Sequence, residues 1–108
     1  MYCKAKVDGQ EIELILDSGS SGSVVTKKFL EKVGRKIDQP SNINMIGIHG
    51  DRRKALGEVT HLPIIIKNAE FPIKAVVSEA RDYDVLVGND WFIKYRATLD
   101  WPKNEVTL

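Results

Sequence analysis

Three consecutive residues, Asp17, Ser18 and Gly19, carry the chemistry most readily read from this sequence. They follow the apolar run Leu14-Ile15-Leu16 and open a small polar stretch that reaches Ser23. A carboxylate placed where a buried strand opens into a glycine-containing loop can face a cleft while its backbone stays rigid. Loop N–H groups and the Ser18 hydroxyl are placed to hold it in one rotamer. Asp-Ser-Gly is also ordinary turn punctuation, so a catalytic role needs support from the rest of the chain.

The chemistry within reach of such a carboxylate is acid–base hydrolysis, which needs a nucleophilic water and a polarised carbonyl. Two carboxylates a few ångströms apart supply both, because like charges let only one ionise and the pair shares a proton. One takes a proton from water while the other protonates the carbonyl oxygen. The chain has one Asp-Ser-Gly. Asp8-Gly9 reads as a hairpin turn, and Asp84 to Gly88 has the wrong spacing. A second carboxylate must then come from another copy about a twofold axis.

Other chemistries fail on spacing. Gly19-Ser20-Ser21-Gly22-Ser23 is not a nucleophile elbow, because position 23 is serine. No Gly-Lys-Ser/Thr follows a glycine loop, so a phosphate cradle is excluded. His49 and His61 are twelve apart with no third ligand at metal spacing. No metal and no cofactor is expected. The lone cysteine, Cys3, excludes an internal disulfide framework and a cysteine-rich zinc site. It reads as a small buried or edge residue in a protein of a reducing compartment.

The elements that must position Asp17 follow from turns and periodicity. Ala5 to Val7 and Ile12 to Leu16 read as strands joined across Asp8-Gly9, with Ile12, Leu14 and Leu16 on one face. Thr26 is placed to cap a helix from Lys27 to Val33, closed by Gly34 and buried through Phe29, Leu30 and Val33. Beyond Pro40 the chain reads as β-rich. Strands are expected at Asn44 to Ile48, Ala55 to Thr60, Leu62 to Lys67, Ile73 to Val77 and Asp84 to Gly88. A polar hairpin tip lies at His49 to Lys54. Asn89 or Asp90 caps a short helix from Trp91 to Tyr95, with Trp91 and Trp101 in the core. Thr98 to Trp101 and Glu105 to Leu108 are terminal strands, the last without a partner from a local hairpin. The sum is an all-β domain of about eight short strands and two small helices, its sheet closed or sandwiched.

Composition bounds the rest. The 108 residues are 43% hydrophobic and 29% charged, with 16 basic and 15 acidic side chains. That is one domain, 1–108, too apolar to be a disordered tail. A net charge of +1 argues against a dedicated nucleic-acid binder. The basic residues Lys27, Lys28, Lys32, Arg35 and Lys36, and the run Arg52-Arg53-Lys54, read as solvated. No apolar run approaches the roughly 18 residues of a membrane helix, and the N-terminus has no signal core. No nucleic acid and no membrane is expected as a partner.

The segment Leu14-Ile15-Leu16-Asp17-Ser18-Gly19-Ser20-Ser21 resembles the active-site strand and loop of retropepsin-like aspartic proteases, with Ser18 where many members have threonine. Val24-Val25-Thr26 looks like the segment that follows. Met45-Ile46-Gly47-Ile48-His49-Gly50 and Ala55-Leu56-Gly57-Glu58-Val59 look like the arms of the flap hairpin. Leu86-Val87-Gly88 resembles the apolar-apolar-Gly that packs below the active-site loop. Asn89-Asp90-Trp91-Phe92, Ala97-Thr98-Leu99-Asp100-Trp101 and Val106-Thr107-Leu108 look especially like proteases of Ty3/gypsy-type retrotransposons. The likeness runs from about residue 5 to 108.

The resemblance implies a retropepsin-like closed β-barrel or sandwich with a flap hairpin and one or two short helices. It implies a homodimer in which each chain gives one Asp17, with Ser18 hydrogen-bonded across the pair and Gly19 completing the catalytic motif. Ser20, Ile46, Gly47, Ile48, His49, Gly50 and Val87 would touch substrate. That substrate would be an extended peptide segment of a retroelement polyprotein, paired like a strand, in the cytoplasm or in virus-like particles. Two rivals remain: a non-catalytic retropepsin-like module using the same dimer for peptide binding or assembly, and a domesticated or ubiquitin-pathway-type protease with a cellular substrate.

Overall fold

Asp8 (φ 52°) and Gly9 (φ 81°) both adopt left-handed backbone, the conformation of a tight turn whose twist matches its strands. The computed structural model describes residues 1–41, 44–46, 52–100 and 105–108. In it β1 (Tyr2–Val7) and β2 (Gln10–Leu16) pair antiparallel, from Tyr2 opposite Ile15 to Val7 opposite Gln10. Ala5 and Val7 from β1, with Ile12, Leu14 and Leu16 from β2, are buried. Lys4, Lys6, Glu11 and Glu13 point the other way, as a period of two requires.

β3 (Val24–Thr26) runs into α1 (Lys27–Val33). The Thr26 hydroxyl accepts the Phe29 N–H at 3.2 Å, and Gly34 (φ 76°) closes the helix in the left-handed conformation. Phe29 and Leu30 are buried, as expected. Arg35 corrects the expectation of a wholly solvated basic face. Its guanidinium grips the Asp8 carboxylate through Nε and Nη2, and Nη1 donates to the His61 carbonyl at 3.3 Å. One side chain thus ties the first turn to the end of α1.

The next hairpin pairs β4 (Asn44–Ile46) with β5 (Arg52–Lys54), Ile46 opposite Arg52. The run Arg52-Arg53-Lys54, expected in the tip, is a strand arm instead. Residues 47–51 lie outside the described residues, and so do the expected flap contacts Gly47, Ile48, His49 and Gly50. β6 (Gly57–Leu62) then joins the main sheet. The expected strand Leu62 to Lys67 is divided. Pro63 has no N–H for a ladder, so β6 ends at Leu62 and the chain resumes as β7 (Ile65–Ile66) beside β1. Lys67 (φ 50°) and Asn68 (φ 67°) turn it into β8 (Ala69–Glu70). The apolar run still serves the core, since Leu62, Ile64 and Ile66 are buried.

β9 (Ile73–Ser78), β10 (Val85–Val87), α2 (Asn89–Tyr95), β11 (Thr98–Asp100) and β12 (Glu105–Thr107) complete the order. The eight-stranded sheet runs β6-β9-β3-β10-β2-β1-β7-β8. It is mixed, with β3–β9 and β10–β2 parallel and the other pairs antiparallel. Curled on itself, it forms a half-barrel around Leu14, Leu16, Val25, Val77, Val85 and Trp91, mostly β with two short helices as expected. Each such side chain contributes about 1.5–3 kcal/mol on burial. Trp91 is fully buried with its ring edge-on to Phe71 and Phe92. Gly88, not Asn89 or Asp90, holds the N-cap position of α2. β12 pairs antiparallel with β11, from Thr98 opposite Thr107 to Asp100 opposite Glu105. The last strand therefore does have a local partner, contrary to the sequence expectation. Trp101 lies outside the described residues. Among the described residues no helix is long and apolar enough to cross a membrane.

Candidate active site

β10 lies between β2 and β3, parallel to the first and antiparallel to the second. Val87 is in register with Leu16, and the Asp17 N–H donates to the Val87 carbonyl at 3.0 Å. The ladder thus continues one residue past β2 and fixes the Asp17 backbone. Its side chain leaves the sheet end and is exposed. The loop then folds back on it. Gly19 N–H donates to Asp17 Oδ1 at 3.0 Å, and Ser20 N–H to the Asp17 carbonyl at 3.1 Å. These bonds give the carboxylate one preferred orientation while leaving it open to solvent.

The loop is held from beneath. The Ser20 hydroxyl donates to the Gly22 carbonyl at 2.8 Å, and the Ser20 carbonyl accepts the Asn89 N–H at 2.7 Å. A Cβ at Gly88 would stand 2.5 Å from the Gly22 carbonyl oxygen and 2.6 Å from that of Ser20. Only glycine lets the loop rest directly on this backbone. Ser23, 2% exposed, donates its hydroxyl to Asp90 Oδ1 at 2.8 Å and its N–H to Oδ2 at 3.2 Å. The same hydroxyl accepts the Gly88 N–H at 3.1 Å, and Asp90 Oδ1 also accepts the Trp91 N–H at 2.8 Å.

Asp17, Ser18, Gly19 and Ser20 share one loop, with Ser18 and Gly19 exposed and Ser20 half-buried. Ile46 ends β4. The Val87 side chain is fully buried in this chain, and its carbonyl supports Asp17 from below. Ser23, Asn89 and Asp90 join the site only in the folded chain. No local pattern joins Ser23 to Asp90 across 67 positions, though both stand beside motifs that were read. Asp90 is the other carboxylate in this network. Its oxygens accept from Ser23 and Trp91, and none of its hydrogen bonds is with Asp17.

A groove of about 650 Å³ runs along the outer face of β1 and β2, with Tyr2, Ile15, Ile65 and Tyr83 in its walls. Asp17 is not among its lining residues. Burial raises the Tyr83 hydroxyl above its ordinary range, an effect that its bond with Ser78 partly offsets. Burial likewise raises the Cys3 thiol, against a smaller opposing effect of Lys67. Cys3 is therefore a poor nucleophile at neutral pH. Among the described residues no three His, Cys, Asp or Glu side chains gather as a metal site would need.

The sequence matches the family model described as retroviral aspartyl protease over residues 3–108. It is 26% identical over 110 residues to DNA damage-inducible protein 1 of Neurospora crassa, covering 100% of this chain and 25% of that one. The chain thus spans about a quarter of that relative's length. Among solved structures, the fold is similar to the retroviral protease-like domain of Ddi1 from Leishmania major. The TM-score is 0.82 at 20% identity, covering 100% of this chain and 86% of the other. It is also similar to the EIAV protease in complex with the inhibitor HBY-793. There the TM-score is 0.71 at 16% identity, covering 93% and 91%.

Proposed function

The chain belongs to the retroviral aspartyl protease family, and on that premise we propose that it is an aspartic endopeptidase working as a pair of identical chains. The observation that carries the proposal is the placing of Asp17. Its backbone is bonded to Val87 and Ser20, while its carboxylate stands exposed at the sheet end. Each chain offers one such carboxylate, and Asp90 is occupied elsewhere. A twofold arrangement brings Asp17 of both chains together, so that they share one proton. The ionised member takes a proton from water, and the water attacks the scissile carbonyl. The protonated member gives its proton to the carbonyl oxygen. In this proposal Ser18 crosses between the chains and locks the two loops, and the β4–β5 hairpin closes over an extended peptide.

The substrate, in this proposal, is a segment of a retroelement polyprotein. What supports it is the Ty3/gypsy-like string Asn89-Asp90-Trp91-Phe92 and its continuation toward the C-terminus. A second reading, a cellular protein substrate, is favoured by the likeness to DNA damage-inducible protein 1. The decisive experiment incubates purified protein with a peptide library, with and without a statine-type inhibitor, beside Asp17→Asn. Cleavage that the inhibitor blocks and Asp17→Asn lowers by about a hundredfold or more supports the proposal. Near wild-type turnover by Asp17→Asn overturns the mechanism. Inhibitor-sensitive peptide binding with no cleavage favours the non-catalytic module. The cleaved sequences, matched to polyprotein junctions or to cellular proteins, separate the two substrate sources.

A further inference from the structure

We propose that Asp90 is a positioning residue that sets the place of the Asp17 carboxylate without touching substrate, an inference that rests on the endopeptidase proposal above. The loop and the segment 87–90 are joined at successive points along both. Asp17 N–H bonds to Val87, Asn89 N–H to the Ser20 carbonyl, and the backbone of Gly88 packs on Ser20 and Gly22. The fourth point is the Asp90 carboxylate, which accepts the Ser23 hydroxyl, the Ser23 N–H and the Trp91 N–H. It alone among the four is made by a side chain of the 87–90 segment. It also orients the Ser23 hydroxyl so that the same oxygen accepts from Gly88 N–H.

Removing the carboxylate leaves the Ser23 hydroxyl and N–H without their acceptor, in a place where Ser23 is nearly inaccessible to water; the Trp91 N–H keeps the Gly88 carbonyl at 3.1 Å. The C-terminal end of the loop then keeps the bond from Val76 N–H to the Ser23 carbonyl at 3.1 Å but loses its side-chain tie to the 87–90 segment, so Ser20 to Ser23 can shift against Gly88 while Asp17 N–H stays anchored at Val87. In a pair of chains the shift acts at both carboxylates. The shared-proton geometry tolerates little displacement, and a misplacement of about 1 Å costs on the order of a hundredfold in rate. Binding of an extended peptide rests on many backbone contacts and responds less. The expected signature is loss of kcat with KM kept.

The test compares wild type, Asp90→Ala, Asp90→Asn, Ser23→Ala and Asp38→Ala at a concentration where activity per chain is constant. Asp38 serves as the structural control, because it accepts the Thr60 N–H and hydroxyl at 3.1 Å and has no bond to the loop. Asp90→Ala should lower kcat by about ten- to a hundredfold with KM within about twofold. Asp90→Asn keeps an oxygen for the Ser23 hydroxyl and Trp91 N–H but sets its NH2 against the Ser23 N–H, and its kcat should fall between those of Asp90→Ala and wild type. Asp90→Ala combined with Ser23→Ala should lose little more than either alone, because both break one network. Asp38→Ala should leave kcat unchanged. Amide exchange supplies a readout that needs no catalysis: Ser23, Gly88 and Asn89 N–H should exchange about tenfold faster in Asp90→Ala.

Equal kcat losses for Asp90→Ala and Asp38→Ala would overturn the proposal, as would unchanged exchange at those three amides. Should Asp90→Ala not fold, Asp90→Asn and Ser23→Ala carry the same comparison. A wild-type chain that cleaves nothing defeats the endopeptidase proposal by itself. The exchange data then decide separately whether Asp90 holds the loop.

Discussion

The backbone N–H of Asp17 donates to the carbonyl of Val87 at 3.0 Å, across strands that run parallel. The consequence is mechanical. A candidate catalytic carboxylate stands on the first loop that follows the N-terminal hairpin, yet its position is fixed by a strand from near the other end of the chain. β10 inserts between β2 and β3, so the two sides of the loop cannot separate without breaking the middle of the sheet. The exposed side chain is therefore mounted on one of the best-buried parts of the molecule, with Leu16 and Val87 almost wholly inaccessible.

Gly88→Ala should damage the site more than the fold. The added Cβ would meet two backbone oxygens at 2.5 and 2.6 Å, and backbone cannot swing aside as a flexible side chain can. Overpacking of this kind costs about 1–3 kcal/mol. A urea melt should show that loss, with peptide cleavage falling further than the unfolded fraction explains. Wild-type stability in Gly88→Ala would show that the loop does not rest on this residue.

Specific activity should fall on dilution. β11 and β12 form a two-stranded sheet of their own among the described residues, so one chain leaves its outer edges open for pairing with another. Sedimentation run beside turnover across a dilution series checks this. Deleting 105–108 should weaken association and lower activity at fixed concentration. Full activity in a species that sediments as one chain would refute the shared dyad.

Acid should erase the contribution of one ion pair. The hydrogen bond from Arg35 holds the Asp8 carboxyl below its ordinary value, against a smaller opposing effect of burial. A carboxyl lowered on folding adds stability above its unfolded pKa and loses it as pH falls through the folded one. Asp8→Asn isolates the charge, because asparagine tolerates the left-handed turn. At pH 7 the variant should be less stable by about 1 kcal/mol, modest because both groups are partly solvated. Melts from pH 7 down to strongly acid should show the gap closing below about pH 4. A gap that persists unchanged in acid would mean the guanidinium contact is not electrostatic.

Cys3 should resist modification in the folded protein. Its thiol is raised by burial and half-covered, so little thiolate is present at neutral pH. Reaction with a chromogenic disulfide at pH 7.5 should be slower in native protein than after unfolding in urea. Equal rates would show that β1 opens readily at its start.

Local chemistry in the sequence determined the elements whose geometry depends on their own residues. Asp8-Gly9 makes its turn because both positions accept left-handed backbone, and Thr26 with Gly34 brackets α1 because each satisfies helix-end groups. Asp17-Ser18-Gly19 was legible for a similar reason: an apolar strand must end where a polar, glycine-bearing loop begins. Pairing between distant segments was decided only by the tertiary structure. The apolar run after Leu62 looked continuous, but Pro63 and the neighbouring β1 divided it between two parts of the sheet. Arg52-Arg53-Lys54 looked like a solvated tip until its register with Asn44–Ile46 made it a strand. Arg35 looked like one cation of a helix face until the first turn met it. Ser23 and Asp90 are each unremarkable in their own stretches. They meet because β10 enters between β2 and β3 and delivers α2 beneath the loop. Hydrogen-bond partners so far apart in the chain are set by strand order, which periodicity and turn signals leave open.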